Sequence, residues 1–391
     1  MNIVFVTSSQ YPEGGAPANR HMACAKGLAE AGHDVTFVLL AKQRGDNSEL
    51  KLIGANYVCV STEDSAQSNN YRLEKIRSIK KGRRAILQLL ENSKIDAIIL
   101  LDTFGWDLIP FINLAKRKNI KVLHERTEYP YLKVFRNFKD KLNFFVYSSY
   151  VMRRFDGIYV INQALKNYFG ELLDNKVPLE IINMIVDPDR FNSGPSDHNK
   201  EFEYLAYCGS LNSEKDGVDI LVEAFSRSLN TGKIPGEIKL MLIGEFISEN
   251  FRLKLQNIIK ERKCGDNIVF TGKVERAKMP DLLKGASALV LSRPYSTQSE
   301  GGFPTKLGEY LATGNPVVIT DVGEIGLFLK DGYNAFIAKP GDIESFSEKI
   351  TELFSDYQNA LEIGKRGRML TENEFNYLEQ ARKLASFIES L

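Results

Sequence analysis

Short apolar runs rich in β-branched residues alternate with stretches whose apolar positions recur every three or four residues, and the alternation starts twice. In the first half the runs predict strands near Ile3 to Thr7, Val35 to Leu40, Ala97 to Leu101, Lys121 to His124, Gly157 to Ile161 and Glu180 to Asn183, with helices between them. The second half restarts with Tyr204 to Cys208, Ile238 to Ile243, Ile268 to Thr271, Ala288 to Leu291 and Pro316 to Ile319. Strands separated by helices pair in parallel, so two doubly wound α/β domains are predicted. The polar, turn-rich residues 187–202 divide them. The expected organisation is a Rossmann-like first domain over 1–190, a second over 203–372, and a helix in 373–391 that packs back on the first. In that helix Tyr377, Ala381, Leu384 and Ile388 share one face. Two such domains usually hold their ligands in the cleft between them.

At 391 residues, with 43% hydrophobic and 26% charged residues, the chain is long enough for two substantial cores. No apolar run approaches the roughly 20 residues that span a bilayer, and the start MNIVFVTSSQ has no basic leader, so a cytoplasmic location is expected. Cys24, Cys59, Cys208 and Cys264 form no zinc or CxxC spacing and are expected as buried thiols. The net charge of +1 divides into +6 over residues 1–195 and −5 over 196–391, a modest asymmetry that solvated surface charge accounts for.

The most informative stretch is SRPYSTQSEGGFPTKLGEYLATGNPVVIT, from Ser292 to Thr320. Gly301 and Gly302 permit a tight turn and a close backbone approach to a ligand, and Pro304 suits the first position of a helix. The amides of that first turn make an anion site. Glu309, five residues after Pro304, places a carboxylate more than a turn deeper, where it is suited to a pair of sugar hydroxyls. Phosphate at the helix start and ribose beside the acid is the profile of a nucleotide diphosphate, although a Gly-Gly pair before a helix also occurs in ordinary α/β loops.

Several segments in order resemble the glycosyltransferases of the GT-B fold, close to glycosyltransferase family 4 (glycosyl transferases group 1). They are TSSQYPEGGAPANRHMACAKGLAEAGHDV, IINMIVDPDRF, YCGSLNSEKDGVDILVEAF, MLIGE, NIVFTGKV, GGFPTKLGEYLATGNPVV and DGYNAFIAKPGD. The resemblance implies two Rossmann-like domains facing each other across a cleft, and transfer of a sugar from a nucleotide-diphosphate donor with retention of anomeric configuration. It gives Glu309 the ribose hydroxyls, Gly302, Phe303 and Pro304 the donor sugar, and the backbone of Thr305, Lys306 and Leu307 the phosphates. Lys215 is implied to neutralise the diphosphate, Val274 to lie in the base-binding turn, Gly14 and Gly15 to close over the donor phosphate, and His124 to lie near the reacting sugar.

Two positions depart from the family pattern. Eight residues before Glu309 stands Gly301, so the first acid of the E-x7-E motif is out of register and Glu300 lies one place early. In Gly209-Ser210-Leu211, Ser210 stands where the family carries an arginine, which leaves Lys306 or Arg293 as the replacement cation.

In retaining members of this fold the leaving phosphate is thought to take the acceptor proton, so neither an enzymatic nucleophile nor a metal or other cofactor is implied. Asp187-Pro188-Asp189 is a competing metal-binding signal. Residues 133–154 interleave Lys133, Arg136, Lys139, Lys141, Arg153 and Arg154 with Phe135, Phe138, Phe144, Phe145 and Tyr147, and residues 72–84 are similarly basic. Such segments suit an anionic membrane surface and a lipid-linked saccharide acceptor, or else core-packed helices with solvated faces. A nucleotide-sugar epimerase and a non-catalytic nucleotide-sugar or glycan binding protein are the alternative functions. The near-neutral charge and the lack of a reader motif argue against nucleic acid.

Overall fold

The computed structural model describes residues 1–11, 15–41, 43, 50–51, 53–60, 71–101, 105–130, 138–192 and 203–391, without side-chain detail at 71–72 and 138–140. Gly14, Lys133, Phe135, Arg136 and most of the polar segment at 193–202 therefore lie outside the described residues, as do the side chains of Arg72, Phe138 and Lys139.

The chain forms two units. One comprises Met1–Ile185 with Tyr377–Leu391, the other Val186–Asn376. The first holds a parallel sheet of seven strands: β1 (Asn2–Thr7), β2 (Asp34–Leu39), β3 (Ala55–Cys59), β4 (Ala97–Leu100), β5 (Lys121–Arg126), β6 (Gly157–Val160) and β7 (Leu179–Ile181), in the order 3-2-1-4-5-6-7. The second holds six: β8 (Tyr204–Cys208), β9 (Lys239–Ile243), β10 (Ile268–Gly272), β11 (Ala288–Leu291), β12 (Val317–Thr320) and β13 (Phe336–Ala338), in the order 10-9-8-11-12-13. Each unit is a doubly wound, Rossmann-like α/β sheet, as the sequence predicts.

Helices cover the sheets on both faces, so the strands are continuous apolar runs rather than alternating ones. β4 and β11 are buried at every position. Two strands gave no clear signal in the sequence. β3 is an edge strand whose Asn56 and Cys59 are exposed, so its apolar count is low, and Cys59 stands at the surface rather than buried. β13 has three residues and owes its strand state to pairing with β12.

The C-terminal helix Tyr377–Ser390 lies against the Gly15–Glu30 helix and completes the first unit's core with Tyr377, Ala381, Leu384, Phe387 and Ile388. Each fully buried side chain of this size contributes about 1.5–3 kcal/mol. The helices approach closely because Gly27 has no side chain: a Cβ there would lie 2.5 Å from the Tyr377 carbonyl oxygen and 2.6 Å from the Ala381 Cβ. Tyr377 seals the contact, its hydroxyl 2.8 Å from Glu30 and its ring under the Lys26 ammonium.

Candidate functional site

Each sheet reverses its strand order beside its first strand, between β1 and β4 and again between β8 and β11. Open α/β sheets bind ligands beyond the carboxyl ends of their strands at such points. In the second unit the residues there are Gly209 and Ser210 after β8, and Ser292 and Arg293 after β11. The helix Thr305–Thr313 follows in sequence, before β12.

After β8 the chain turns sharply. Asn212 Oδ1 accepts the Lys215 amide at 2.7 Å and the Asp216 amide at 3.3 Å. Gly217 then begins the helix Val218–Asn230 in the left-handed conformation at φ 61°, where a Cβ would run into the Ser292 carbonyl oxygen. This turn leaves Lys215 exposed and drives Asp216 inside, at 3% exposure. The sequence pointed to Lys215; the structure places its neighbour at the centre of a buried cluster.

Lys306 Nζ donates to Asp216 Oδ2 at 2.6 Å and to the Tyr207 hydroxyl at 3.2 Å, and lies 4.7 Å from the Tyr207 ring centre. Arg293 Nε stands 3.7 Å from Asp216 Oδ1 and donates to the Lys215 carbonyl at 3.3 Å. The Tyr207 hydroxyl is 2.8 Å from Asp216 Oδ2 and 2.9 Å from the Ser210 carbonyl. Burial would raise the Asp216 pKa, but the Lys306 and Arg293 charges and the Tyr207 hydroxyl outweigh it and hold the acid below its ordinary value. Burial, and then the Asp216 charge, push the Tyr207 phenol well above its ordinary value, so it remains a neutral donor. Burial lowers the Lys306 pKa despite the opposing pull of Asp216. Both cations named as replacements for the arginine missing at Ser210 are thus gathered on one acid. Gly209 makes room for this: a Cβ there would lie 2.3 Å from Lys306 Nζ.

Gly301, Gly302, Phe303 and Pro304 are buried, and Pro304 is the N-cap of the Thr305–Thr313 helix rather than its first residue. No side chain caps that helix start; the Leu307 amide donates to the Pro304 carbonyl at 2.9 Å, and the amides of Thr305 and Lys306 ahead of it are the sort that anions satisfy. Phe303 packs in an aromatic trio with Phe328 and Phe375 at centroid distances of 4.9–5.7 Å. Glu300 ends up exposed on a short helix, Thr297–Gly301, closed by a reciprocal Ser296–Ser299 cap. Glu309 is three residues beyond Lys306 on its helix and receives Arg190 Nη1 at 2.7 Å. Val274 is half-buried in the turn after β10, next to the left-handed Gly272.

The Asp187 carboxylate accepts the Asp189 amide at 3.2 Å and caps the short turn Pro188–Phe191. Among the described residues no three His, Cys, Asp or Glu side chains stand together as a metal site.

In the first unit Gly15 opens the Gly15–Glu30 helix at φ 71°. His124, on β5, is wholly buried and stacked on Phe155 at 4.9 Å. Its Nδ1 lies 2.8 Å from the Leu100 carbonyl, an acceptor only, so Nδ1 carries the proton and Nε2 accepts the Tyr147 hydroxyl at 2.9 Å. Both ring nitrogens are engaged inside the core, and contact with a sugar requires giving up one of these bonds.

Its neighbour Glu125 points to the other face of the sheet and anchors a network that the sequence did not disclose. Arg20 Nε donates to Glu125 at 2.9 Å while its other nitrogens reach the Ile182 and Asn183 carbonyls. His21 Nε2 lies 2.5 Å from Glu125, and its Nδ1 is 2.7 Å from the Tyr11 hydroxyl. Burial opposes the Glu125 charge, but His21 and Arg20 overcome it and hold the pKa at about 2. Two charged residues, Glu125 and Arg126, ending the largely buried strand KVLHER were the available signal.

Burial, and then the Arg126 charge, push the His124 pKa down to about 3 from 6.5. Between those values the unfolded chain binds a proton that the folded protein refuses, so stability falls as pH falls, by about 1.4 kcal/mol per pH unit at most. Glu125 acts lower, its contribution being lost only below its ordinary 4.5. Urea unfolding is therefore expected to show a loss of about 2–3 kcal/mol between pH 6.5 and 4.5, and His124→Gln is expected to flatten that slope. An unchanged slope in the variant counts against His124.

Residues 189–370 match the family of glycosyl transferases group 1. The chain is 24% identical over 317 residues to an uncharacterized glycosyltransferase from Methanocaldococcus jannaschii, covering 79% of this chain and 83% of the relative. Among solved structures it is similar to Anabaena HepE in complex with UDP and glucose, with a TM-score of 0.76 at 17% identity over 100% of both chains. It is also similar to a sucrose-phosphate synthase from Thermosynechococcus elongatus, with a TM-score of 0.74 at 16% identity over 100% of this chain and 98% of the other. Together these likenesses support a GT-B glycosyltransferase.

Proposed function

We propose that the protein is a retaining glycosyltransferase of family 4 that moves a sugar from a nucleotide-diphosphate donor to a saccharide, without a metal. The observation that carries this reading is the uncapped start of the Thr305–Thr313 helix beside two cations, the half-buried Lys306 and the buried Arg293, at the strand-order reversal of the second sheet. Breaking a sugar–phosphate bond moves negative charge onto the diphosphate, and fixed donors aimed at that charge lower the barrier. In this reading the amides of Thr305 and Lys306 hold the phosphates, Leu307 closes the same turn on the Pro304 carbonyl, and Lys306, Arg293 and Lys215 carry the countercharge. Gly209 and Ser210 give the diphosphate a backbone it can approach. Glu309 takes the ribose hydroxyls, Val274 lies at the base, and Gly302, Phe303 and Pro304 meet the sugar, with Glu300 the nearest acid in sequence. The acceptor hydroxyl attacks the anomeric carbon as the bond to the diphosphate breaks, and the departing phosphate oxygen takes the acceptor's proton. We assign His124 to the frame of the first unit on its geometry.

The test is a thermal-shift and hydrolysis screen against UDP-, GDP-, ADP- and dTDP-sugars, with and without EDTA. UDP-glucose comes first, since HepE has also been solved with it. One base series is expected to stabilise the protein and to be hydrolysed slowly, unaffected by EDTA, with the anomeric configuration of the product retained. Glu309→Ala is expected to abolish the shift. Epimer formation without acceptor, binding without turnover, or loss of activity in EDTA would each overturn a part of this reading.

We further propose that the acceptor is a lipid-linked saccharide, met by peripheral attachment at the cytoplasmic face of a membrane. No helix among the described residues is long and apolar enough to cross one. Supporting attachment, Trp106, Leu142, Phe145 and Tyr150 are 49–64% exposed. Trp106 is joined to the Phe138–Val146 helix through Asn143, and the Tyr71–Asn92 helix, with exposed Leu73 and Ile76, is joined to the Trp106 turn by the Lys75–Asp107 ion pair. Lys80, Arg84 and Lys141 on the same two helices are exposed as well, and exposed aromatic and basic residues together suit anionic lipid. Flotation with vesicles containing anionic lipid is expected to carry the protein at low salt, and Trp106→Ser with Phe145→Ser to release it.

A further inference from the structure

We propose that Arg190 is a positioning residue for nucleotide binding, holding the Glu309 carboxylate in the orientation that receives the ribose hydroxyls; this rests on the donor-site reading above. Arg190 lies in the turn Pro188–Phe191, directly after the chain enters the second unit at Val186. That turn is fixed independently of any ligand. The Val186 amide donates to the Phe375 carbonyl at 2.9 Å, Asp187 caps the turn, Phe191 is buried, and Asn192 is held by Arg368. From this base Arg190 Nη1 reaches Glu309 Oε1 at 2.7 Å, and its guanidinium lies 5.7 Å from the Phe191 ring centre. The two side chains are only 18% and 15% exposed, so solvent screens the pair incompletely.

Glu309 has three rotatable side-chain bonds on a helix flank, and ordering such a side chain at the moment of binding costs affinity. A partner on a fixed turn removes that cost in advance. A carboxylate accepts about four hydrogen bonds, so one arginine contact does not by itself exhaust it. The arrangement also divides labour along one helix: Lys306 and Glu309 are three residues apart and lie on neighbouring positions of its surface, the first tied to Asp216, the second to Arg190. The phosphate and ribose ends of the site are each preset by a different partner.

Titration calorimetry with UDP, GDP and ADP, and with the 2′,3′-dideoxy form of whichever binds, tests the proposal. Arg190→Ala is expected to weaken the ribonucleotide about tenfold, the size of one oriented hydrogen bond. It should leave the dideoxynucleotide within about twofold of wild type. Arg190→Ala combined with Glu309→Gln should be no weaker than Glu309→Gln alone, and Arg190→Lys should recover part of the loss. Equal weakening of the ribo and dideoxy forms would make Arg190 merely structural and overturn the proposal, as would unchanged or tighter ribonucleotide binding. If Arg190→Ala fails to fold, Arg190→Lys and Arg190→Gln carry the same comparison. Failure of the wild type to bind any of the three nucleotides overturns the donor-site reading itself, and this proposal with it.

Discussion

Lys306→Ala is expected to lower turnover by about 10²–10³-fold, roughly 3–4 kcal/mol of lost charge stabilisation, with a much smaller change in the donor's KM. The side chain reaches its place by passing over Gly209, and its ammonium is held between Asp216 Oδ2 and the face of Tyr207, a position that solvent cannot fill with an equivalent charge. In the proposed reading it supplies the charge that an arginine at position 210 would otherwise deliver. Single-turnover kinetics with the donor found in the screen would measure the effect. Activity unchanged in the variant would remove Lys306 from the reaction and leave Arg293 as the cation to test.

The second large effect concerns stability. Asp216→Ala leaves Lys306 and Arg293 facing each other without the acid that both approach, and breaking a buried ion cluster by removing one partner typically costs about 3–5 kcal/mol. For a unit of this size each kcal/mol moves Tm by about 2–4 °C, so calorimetry should show a fall on the order of 10 °C. Adding Lys306→Met to Asp216→Ala should recover part of it, because the uncompensated ammonium is then gone. Full stability in the single variant would mean that water or a neighbouring oxygen replaces Asp216 at no cost.

Much of the fold was legible in the sequence because parallel strands buried on both faces are written as unbroken apolar runs. β1, β4, β8 and β11 are such strands, and each carries its own signature. β3 and β13 are not: an edge strand with one wet face and a three-residue strand depend on their neighbours for their state. In the site, the Gly-Gly-Phe-Pro run before a helix was readable because glycine and proline act locally through allowed backbone angles. Asp216, Tyr207 and Arg190 were not, since their importance lies in partners 90, 99 and 119 positions away in the chain.

The sequence by itself therefore determined the two-unit α/β architecture, the glycine positions at which the chain turns, and the helix start suited to an anion, all properties of residues close along the chain. Which charges meet was decided only by tertiary structure. Lys215 and Asp216 are adjacent, and a turn set by Asn212 and Gly217 sends one to the surface and the other inside. His124 and Glu125 are adjacent too, and strand pleating sends one into a closed stack and the other to Arg20 and His21. Periodicity states that neighbouring residues point in opposite directions; what waits on each side is fixed by packing between segments far apart in sequence.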